Sequence, residues 1–358
     1  MWAKTVIILS FCFCAIQAFA QAPDSQTIEA RAKTLFEAGA YHELDELMQK
    51  NAGFEARTES GYWQLNIIYR TLFRALHGEA DDQAFWQSLD QQTQAYISQV
   101  PGSATATYMR AELFRQKAWA IRGETSAGEV PREAWALFRE NMQLAEDALA
   151  NNGAPFKDNP QWYVAALYVQ GPRGARSQRF YDLLDEGISK FPDYQPIYLA
   201  AVTFFDKRWS RDPDLVERFA RLSVELTYET HGASLYAQIY IHLWELYAPR
   251  INLFAHQNPD WDLMKQGMQD ILERYPTEWN LQTFAHIACM KQDFPFMDSL
   301  FGQIHADPIA AIWDDQFLFK SCSDTTMRPM TEEDLMRRMA KIVLFTVLLE
   351  LGYELKHR

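Results

Sequence analysis

Apolar residues recur at intervals of three and four along almost the whole chain from about residue 25, and no stretch alternates with period two. The pattern predicts an all-α protein. Its clearest instance starts at Pro131, where Trp135, Phe138, Met142, Ala145 and Leu149 form one stripe and Gly153 follows the end. Tyr181, Leu184, Ile188 and Phe191 predict a second stripe, and Trp261, Met264, Met268, Ile271 and Tyr275 a third. Ala233, Tyr236, Tyr240, Trp244 and Tyr247 predict a helix of about four turns. Asp212 and Pro213 supply a cap and a preset first residue for a helix buried through Leu215, Phe219, Leu222 and Leu226. Each helix exposes one apolar stripe that only a neighbour can cover.

The breaks between these helices are short. They fall at Gly39-Ala40, Pro101-Gly102, 153–160, 171–174, 192–196, His231-Gly232, 249–259 and Pro276. Short connections make successive helices antiparallel neighbours. The junctions echo one another, since Phe191-Pro192-Asp193-Tyr194 and Tyr275-Pro276-Thr277-Glu278-Trp279 each close one helix and open the next on an aromatic residue. This predicts a repeating helix pair, although no strict 34-residue consensus runs through the chain. A last helix is expected from Thr331, capped by that hydroxyl and apolar on nearly every face from Ile342 to Leu349. It is either sandwiched between layers or docks a partner.

Leu35-Phe36-Glu37-Ala38-Gly39-Ala40-Tyr41 through Leu44 resembles the first-helix exit of a tetratricopeptide repeat. With it go Ala118-Trp119-Ala120-Ile121-Arg122-Gly123, Glu133 to Phe138, Arg208-Trp209, Leu235-Tyr236-Ala237, Trp279-Asn280, Phe284-Ala285 and Ala288-Cys289. Together these resemble an uncharacterised bacterial family of exported proteins with tetratricopeptide-like helices, over roughly residues 60 to 315. The resemblance implies a right-handed stack of antiparallel helix pairs across 21–330, a terminal capping helix at 331–358 and an interaction role, and it transfers no catalytic residue. The Gly-Gly-Ser that follows the Arg-Trp in that family is replaced here by Ser210-Arg211-Asp212.

The first 20 residues change the picture. A lysine-bearing start, an apolar run from Val6 to Ile16 and Ala18-Phe19-Ala20 before Gln21 read as a cleavable signal peptide, which places the protein in the periplasm or outside the cell. About 11 apolar residues cover roughly 16 Å as helix, short of a bilayer core of about 30 Å. No transmembrane span is expected in the mature chain. Cleavage removes one lysine and no acid, so the formal charge of −13 becomes −14, which argues against a nucleic-acid partner. It also removes Cys12 and Cys14, leaving Cys289 and Cys322 as either a disulfide, favoured by export and the even count, or two separately buried thiols.

Tests for chemistry return little. His242 and Glu245 have a helical metal-ligand spacing without an HExxH or a Cys/His cluster to support it, so His242 reads as a satisfied core or interface histidine. There is no G-x-S-x-G, and Gly171-Pro172-Arg173-Gly174 lacks the strand and Lys-Ser/Thr of a phosphate loop and reads as a turn. No catalytic residue, metal site or cofactor is expected. Arg173, Arg176 and Arg179, with Lys207, Arg208 and Arg211, are candidates for binding an anion or an acidic partner segment, against the alternative of a solvated face paired with local acids. The chain is accordingly expected to be a non-catalytic scaffold that binds a peptide or protein in a concave groove. With 11 Trp and 14% aromatics, the alternative is a carbohydrate-active or carbohydrate-binding helical protein, with Trp209, Trp279 and Trp313 as the aromatics left outside the counted stripes.

Overall fold

The structure, a computed structural model, describes residues 26–53, 56–150, 157–174, 177–247, 252–313 and 316–324. The expected signal peptide, the expected final helix at 331–358, Gly153 and Arg176 lie outside the described residues. Among those described the fold is all-α, with seventeen helices and one isolated bridge between Arg57 and Trp63. The helices are α1 (Gln26–Glu37), α2 (Tyr41–Lys50), α3 (Gln64–Arg74), α4 (Gln83–Gln99), α5 (Ala104–Arg122) and α6 (Arg132–Ala150). There follow α7 (Pro160–Gly174), α8 (Gln178–Lys190), α9 (Gln195–Thr203), α10 (Leu215–His231), α11 (Ser234–Tyr247) and α12 (Leu253–His256). The last are α13 (Trp261–Arg274), α14 (Glu278–Lys291), α15 (Phe294–Phe301), α16 (Ala310–Trp313) and α17 (Gln316–Ser323). None of them is long and apolar enough to cross a membrane.

The helices divide into two kinds, and the division follows from side-chain pattern. On α4, α6, α8, α10 and α13 only one stripe is buried, as with Phe138, Met142, Ala145 and Leu149 on α6. On α9, α11 and α14 most faces are buried; α9 hides Ile197, Tyr198, Ala200, Ala201 and Val202. Helices of this second kind form one layer, in which α3 packs on α5, α5 on α7, α7 on α9 and α9 on α11. Trp244 meets the edge of His286 at 5.4 Å and carries the layer on to α14. The one-striped helices sit between successive members of the layer and cover them from outside.

Two stripes differ from their predicted course. On α8 the buried set is Phe180, Leu183, Leu184 and Gly187, with Tyr181 exposed. On α10 Leu222 and Leu226 are 46% and 49% exposed, and the buried face runs through Val216, Phe219, Ala220, Ser223, Val224 and Thr227. Ser223 donates to Phe219 O at 2.8 Å and Thr227 to Ser223 O at 2.7 Å, so both hydroxyls are satisfied within the helix and can be buried. The helix carries its small residues inward and its leucines outward. Asp212 does not cap α10 directly; its carboxylate accepts from Asp214 N and pairs with Arg218.

The segment 171–174 is not a turn. It is the last turn of α7, which runs through Pro172 to Gly174, since a proline near a helix end forfeits only one backbone bond. The 249–259 break contains the extra short helix α12. Cys289 on α14 and Cys322 on α17 form a disulfide, with Cα atoms 5.8 Å apart. About two turns before Cys289 on the same helix, Gln282, fully buried, accepts from Ile309 N and Trp313 Nε1 at 2.8 and 3.0 Å, and its amide nitrogen donates to Asp307 O at 3.1 Å. With His305 N and Ala306 N also donating to Glu278 Oε1, the segment after α15 is fastened to α14 by one covalent bond and five hydrogen bonds.

Distant parts of the chain meet at residues 57–63. Ser60 and Thr277 hydroxyls lie 3.2 Å apart, Asn280 Nδ2 donates to Ser60 O at 3.2 Å, and Trp63 Nε1 donates to Gln195 Oε1. Gly61 makes the approach possible. Its φ of +88° is a left-handed conformation, and a Cβ there would stand 2.6 Å from the Tyr275 ring.

Candidate functional site

The layer encloses a cleft of two joined lobes. The larger, about 1200 Å³ counted out to open solvent, is lined by α3, α5, α7, α9, α11 and the residues after α9. The smaller, about 790 Å³ on the same measure, lies towards α14 and the 57–63 segment. Asn66, Arg70, Pro196, Leu199 and His242 line both lobes.

Helical spacing puts the polar lining there. Asn66, Arg70 and Phe73 are i, i+4 and i+7 on α3, and Glu112, Arg115 and Trp119 are i, i+3 and i+7 on α5. Gln238, His242 and Glu245 repeat the pattern on α11. Each helix therefore turns a thin polar stripe into the cleft while the rest of its circumference is packed.

The larger lobe is rich in arginine. Arg115 grips Glu112 through two bonds, Nε to Oε2 at 2.7 Å and Nη2 to Oε1 at 2.5 Å, and Gln116 adds a third at 2.7 Å. Arg208 pairs through Nε with the buried Asp206 at 3.0 Å. Arg70 is shared with the smaller lobe. Phe73, Trp119, Val164, Tyr168, Leu199 and Phe204 supply apolar wall between these charges. The Arg115 guanidinium lies 5.6 Å from the Tyr168 ring centre, within reach of a cation–π contact.

His242 reports the field of these cations. Burial pushes its pKa down to about 3, and the charges of Arg70 and Arg208 push in the same direction. It is a neutral imidazole whose Nε2 lies 3.0 Å from Thr203 Oγ1. The Thr203 proton goes to Leu199 O at 2.9 Å, so Nε2 carries the hydrogen of the imidazole–hydroxyl bond. The satisfied histidine expected from sequence is present, with one edge on the cleft.

The smaller lobe is lined by Arg57 and Arg70 together with one acid, Glu245. Burial raises the Glu245 carboxyl to about 7, against a partial lowering by Arg70. Gln238 Oε1 and Thr283 Oγ1 line the same lobe and are buried without a hydrogen-bond partner. Thr283 is only 9% exposed. Buried acceptors left unmet cost about 1–3 kcal/mol each, and a ligand donor would relieve that.

The described arginine and lysine candidates from sequence lie in different surroundings. Arg173, at the end of α7, pairs with Glu146 and donates to Gln143 at 2.8 Å on the outside of the molecule. Arg179 lines a separate pocket with Lys157 and Trp162. Lys207 and Arg211 are exposed, and of the five candidates among the described residues Arg208 alone lines the cleft. Arg70, Arg115 and Gln238 were missed because side chains on three different helices carry no linear signature. The polar stripes on α3, α5 and α11 were the available signal.

The rings proposed for sugar stacking are occupied by protein. Trp209 meets the Trp119 ring at 6.2 Å and the Phe204 ring at 5.3 Å. Trp313 is fully buried and stacked on His286 at 4.9 Å, and Trp279 is 5% exposed. Glu112 has both oxygens hydrogen-bonded, to Arg115 and Gln116. Among the described residues, no three His, Cys, Asp or Glu side chains are grouped to hold a metal ion. The chain matches no protein-family model, no curated protein and no solved structure.

Proposed function

We propose that this chain is an exported, non-catalytic binding protein of tetratricopeptide-like build, holding a peptide segment of a partner in the two-lobed cleft. The observation that carries the reading is the lining of that cleft: amide and guanidinium groups of Asn66, Arg70, Gln161, Arg115 and Arg208 alternate with apolar wall. Such a mixture suits a backbone with carbonyls and side chains better than a sugar ring, whose recognition needs open aromatic faces. The alternation of one-striped helices with a fully packed inner layer supports a stack of helix pairs, and a stack of this kind presents its inner helices to a ligand. The Cys289–Cys322 bond fits an oxidising compartment, as the signal-like first 20 residues do.

The reading is tested by placing a photo-crosslinking phenylalanine analogue at Phe73 in the cleft and, separately, at Leu144 on the outer face of α6, which is 39% exposed. Irradiation in a bacterial envelope extract is expected to attach a peptide or polypeptide at position 73 and none at 144. Adducts at neither position, or release of shortened oligosaccharides by the unmodified protein, would overturn it.

A further inference from the structure

The smaller lobe carries an unanswered demand for hydrogen-bond donors. Gln238 Oε1 on α11 and Thr283 Oγ1 on α14 both line it, and both are buried without a hydrogen-bond partner. Thr283 is 9% exposed, and the two helices meet where Trp244 touches the edge of His286. Two such acceptors call for a ligand that brings two N–H or O–H hydrogens. The charge of the lobe narrows the kind of donor. Arg57 and Arg70 stand in the same wall, and the one acid beside them, Glu245, is raised by burial to about 7 and is therefore only partly ionised near neutrality. An ammonium or guanidinium entering there would add a third cation to a desolvated wall. The donors must come uncharged. Among amino-acid side chains, only the carboxamides of asparagine and glutamine carry two N–H hydrogens without a charge.

Resting on the peptide-binding reading above, we infer that the smaller lobe is a specificity subsite for the primary carboxamide of an asparagine or glutamine side chain in the bound segment, its NH2 group donating to Gln238 Oε1 and Thr283 Oγ1. The rest of the lobe suits such a group. Pro196, Leu199, Ile241, Ile271 and Phe284 give apolar wall to the methylenes that carry it. The Glu245 carboxyl fits in either protonation state, since its O–H can donate to the carboxamide oxygen and its carboxylate can accept from the NH2. A ligand carboxylate of the same shape brings no hydrogen for either acceptor. A leucine leaves both unmet, at the cost of two buried polar atoms.

The test uses the full chain and isothermal titration with pools of capped hexapeptides, N-acetylated and closed by a C-terminal methylamide so that no terminal charge or primary amide remains. The fourth position is fixed in turn as glutamine, asparagine, glutamate, lysine, serine or leucine, and the other five are drawn from alanine, leucine, phenylalanine and glycine. The glutamine or the asparagine pool is expected to bind about tenfold or more tightly than the leucine pool, the difference made by two hydrogen bonds to otherwise unmet acceptors. Thr283→Val and Gln238→Met are each expected to remove most of that preference while leaving the leucine pool bound as before. The pair covers the case in which one variant fails to fold, judged by circular dichroism. Equal binding of all six pools, a preference for lysine, glutamate or serine, or a carboxamide preference that survives in a folded variant would overturn the subsite and leave the peptide-binding reading standing. A folded parent that binds none of the pools would overturn both.

Discussion

Gly267 on α13 sets two opposed effects against each other, and Gly267→Ala decides between them. Helix propensity alone predicts a gain of about 1 kcal/mol for alanine inside a helix. Packing predicts a loss. A Cβ at Gly267 would lie 3.0 Å from Ala237 Cβ and 3.1 Å from Ala233 C, and would overlap Ala233 O. Carbon atoms prefer about 3.5–4.0 Å, so α13 must retreat from α11 by about 0.5–1 Å, a gap that forfeits a quarter to a half of each dispersion contact across it. Met264 and Met268 are fully buried and Ile271 is 6% exposed on the same face. Three such side chains with about 40 contacts each, at about 0.1 kcal/mol per contact, lose about 3 kcal/mol at the smaller fraction. Subtracting the propensity gain leaves a net destabilisation of about 2 kcal/mol, inside the range of about 1–3 kcal/mol for overpacking. Urea unfolding followed by tryptophan fluorescence gives the stability, and hydrogen exchange over 234–247 and 261–274 gives its location. A variant more stable than the parent, or one whose exchange quickens elsewhere and not in α11 and α13, would refute the packing argument.

Two further outcomes follow from the same structure. Replacing Cys289 and Cys322 together by serine opens a loop with a sequence separation of 33, and the chain-entropy relation gives a loss of about 3–4 kcal/mol. Exchange protection should fall first in α16 and α17, and an unchanged urea midpoint would count against the bond's role. Glu245→Gln should change the pH dependence of stability. The native carboxyl, raised to about 7, holds its proton where the unfolded one, at 4.5, has released it. Stability of the parent is therefore drained as pH rises from about 4.5 to 7, by at most about 3 kcal/mol for this group. The glutamine variant should lose that part of the slope and overtake the parent at pH 8; parallel pH profiles for the two proteins would contradict the burial of this charge.

The period of the apolar residues, read along the chain, determined the helical class, the positions of α6, α11 and α13, and the turns at Gly39, Pro101 and Pro276, because helix formation and chain reversal depend on neighbours within a few residues. It was less able to say which face of a helix is inside. Tyr181 and Leu222 fit an apolar stripe and are exposed, because Gly187 allows Tyr163 to within 3.0 Å of where a side chain would start and Ser223 buries its own hydroxyl, so small residues win the closest contacts. The cysteines left after an expected cleavage were legible as a pair, but their bonding depended on α17 folding back onto α14. The cleft was decided only by tertiary structure. Asn66, Arg115, Arg208 and Glu245 are unremarkable in their own helices, and become a site because four separate segments present them to one enclosed space where burial raises a carboxyl and three cations share a wall.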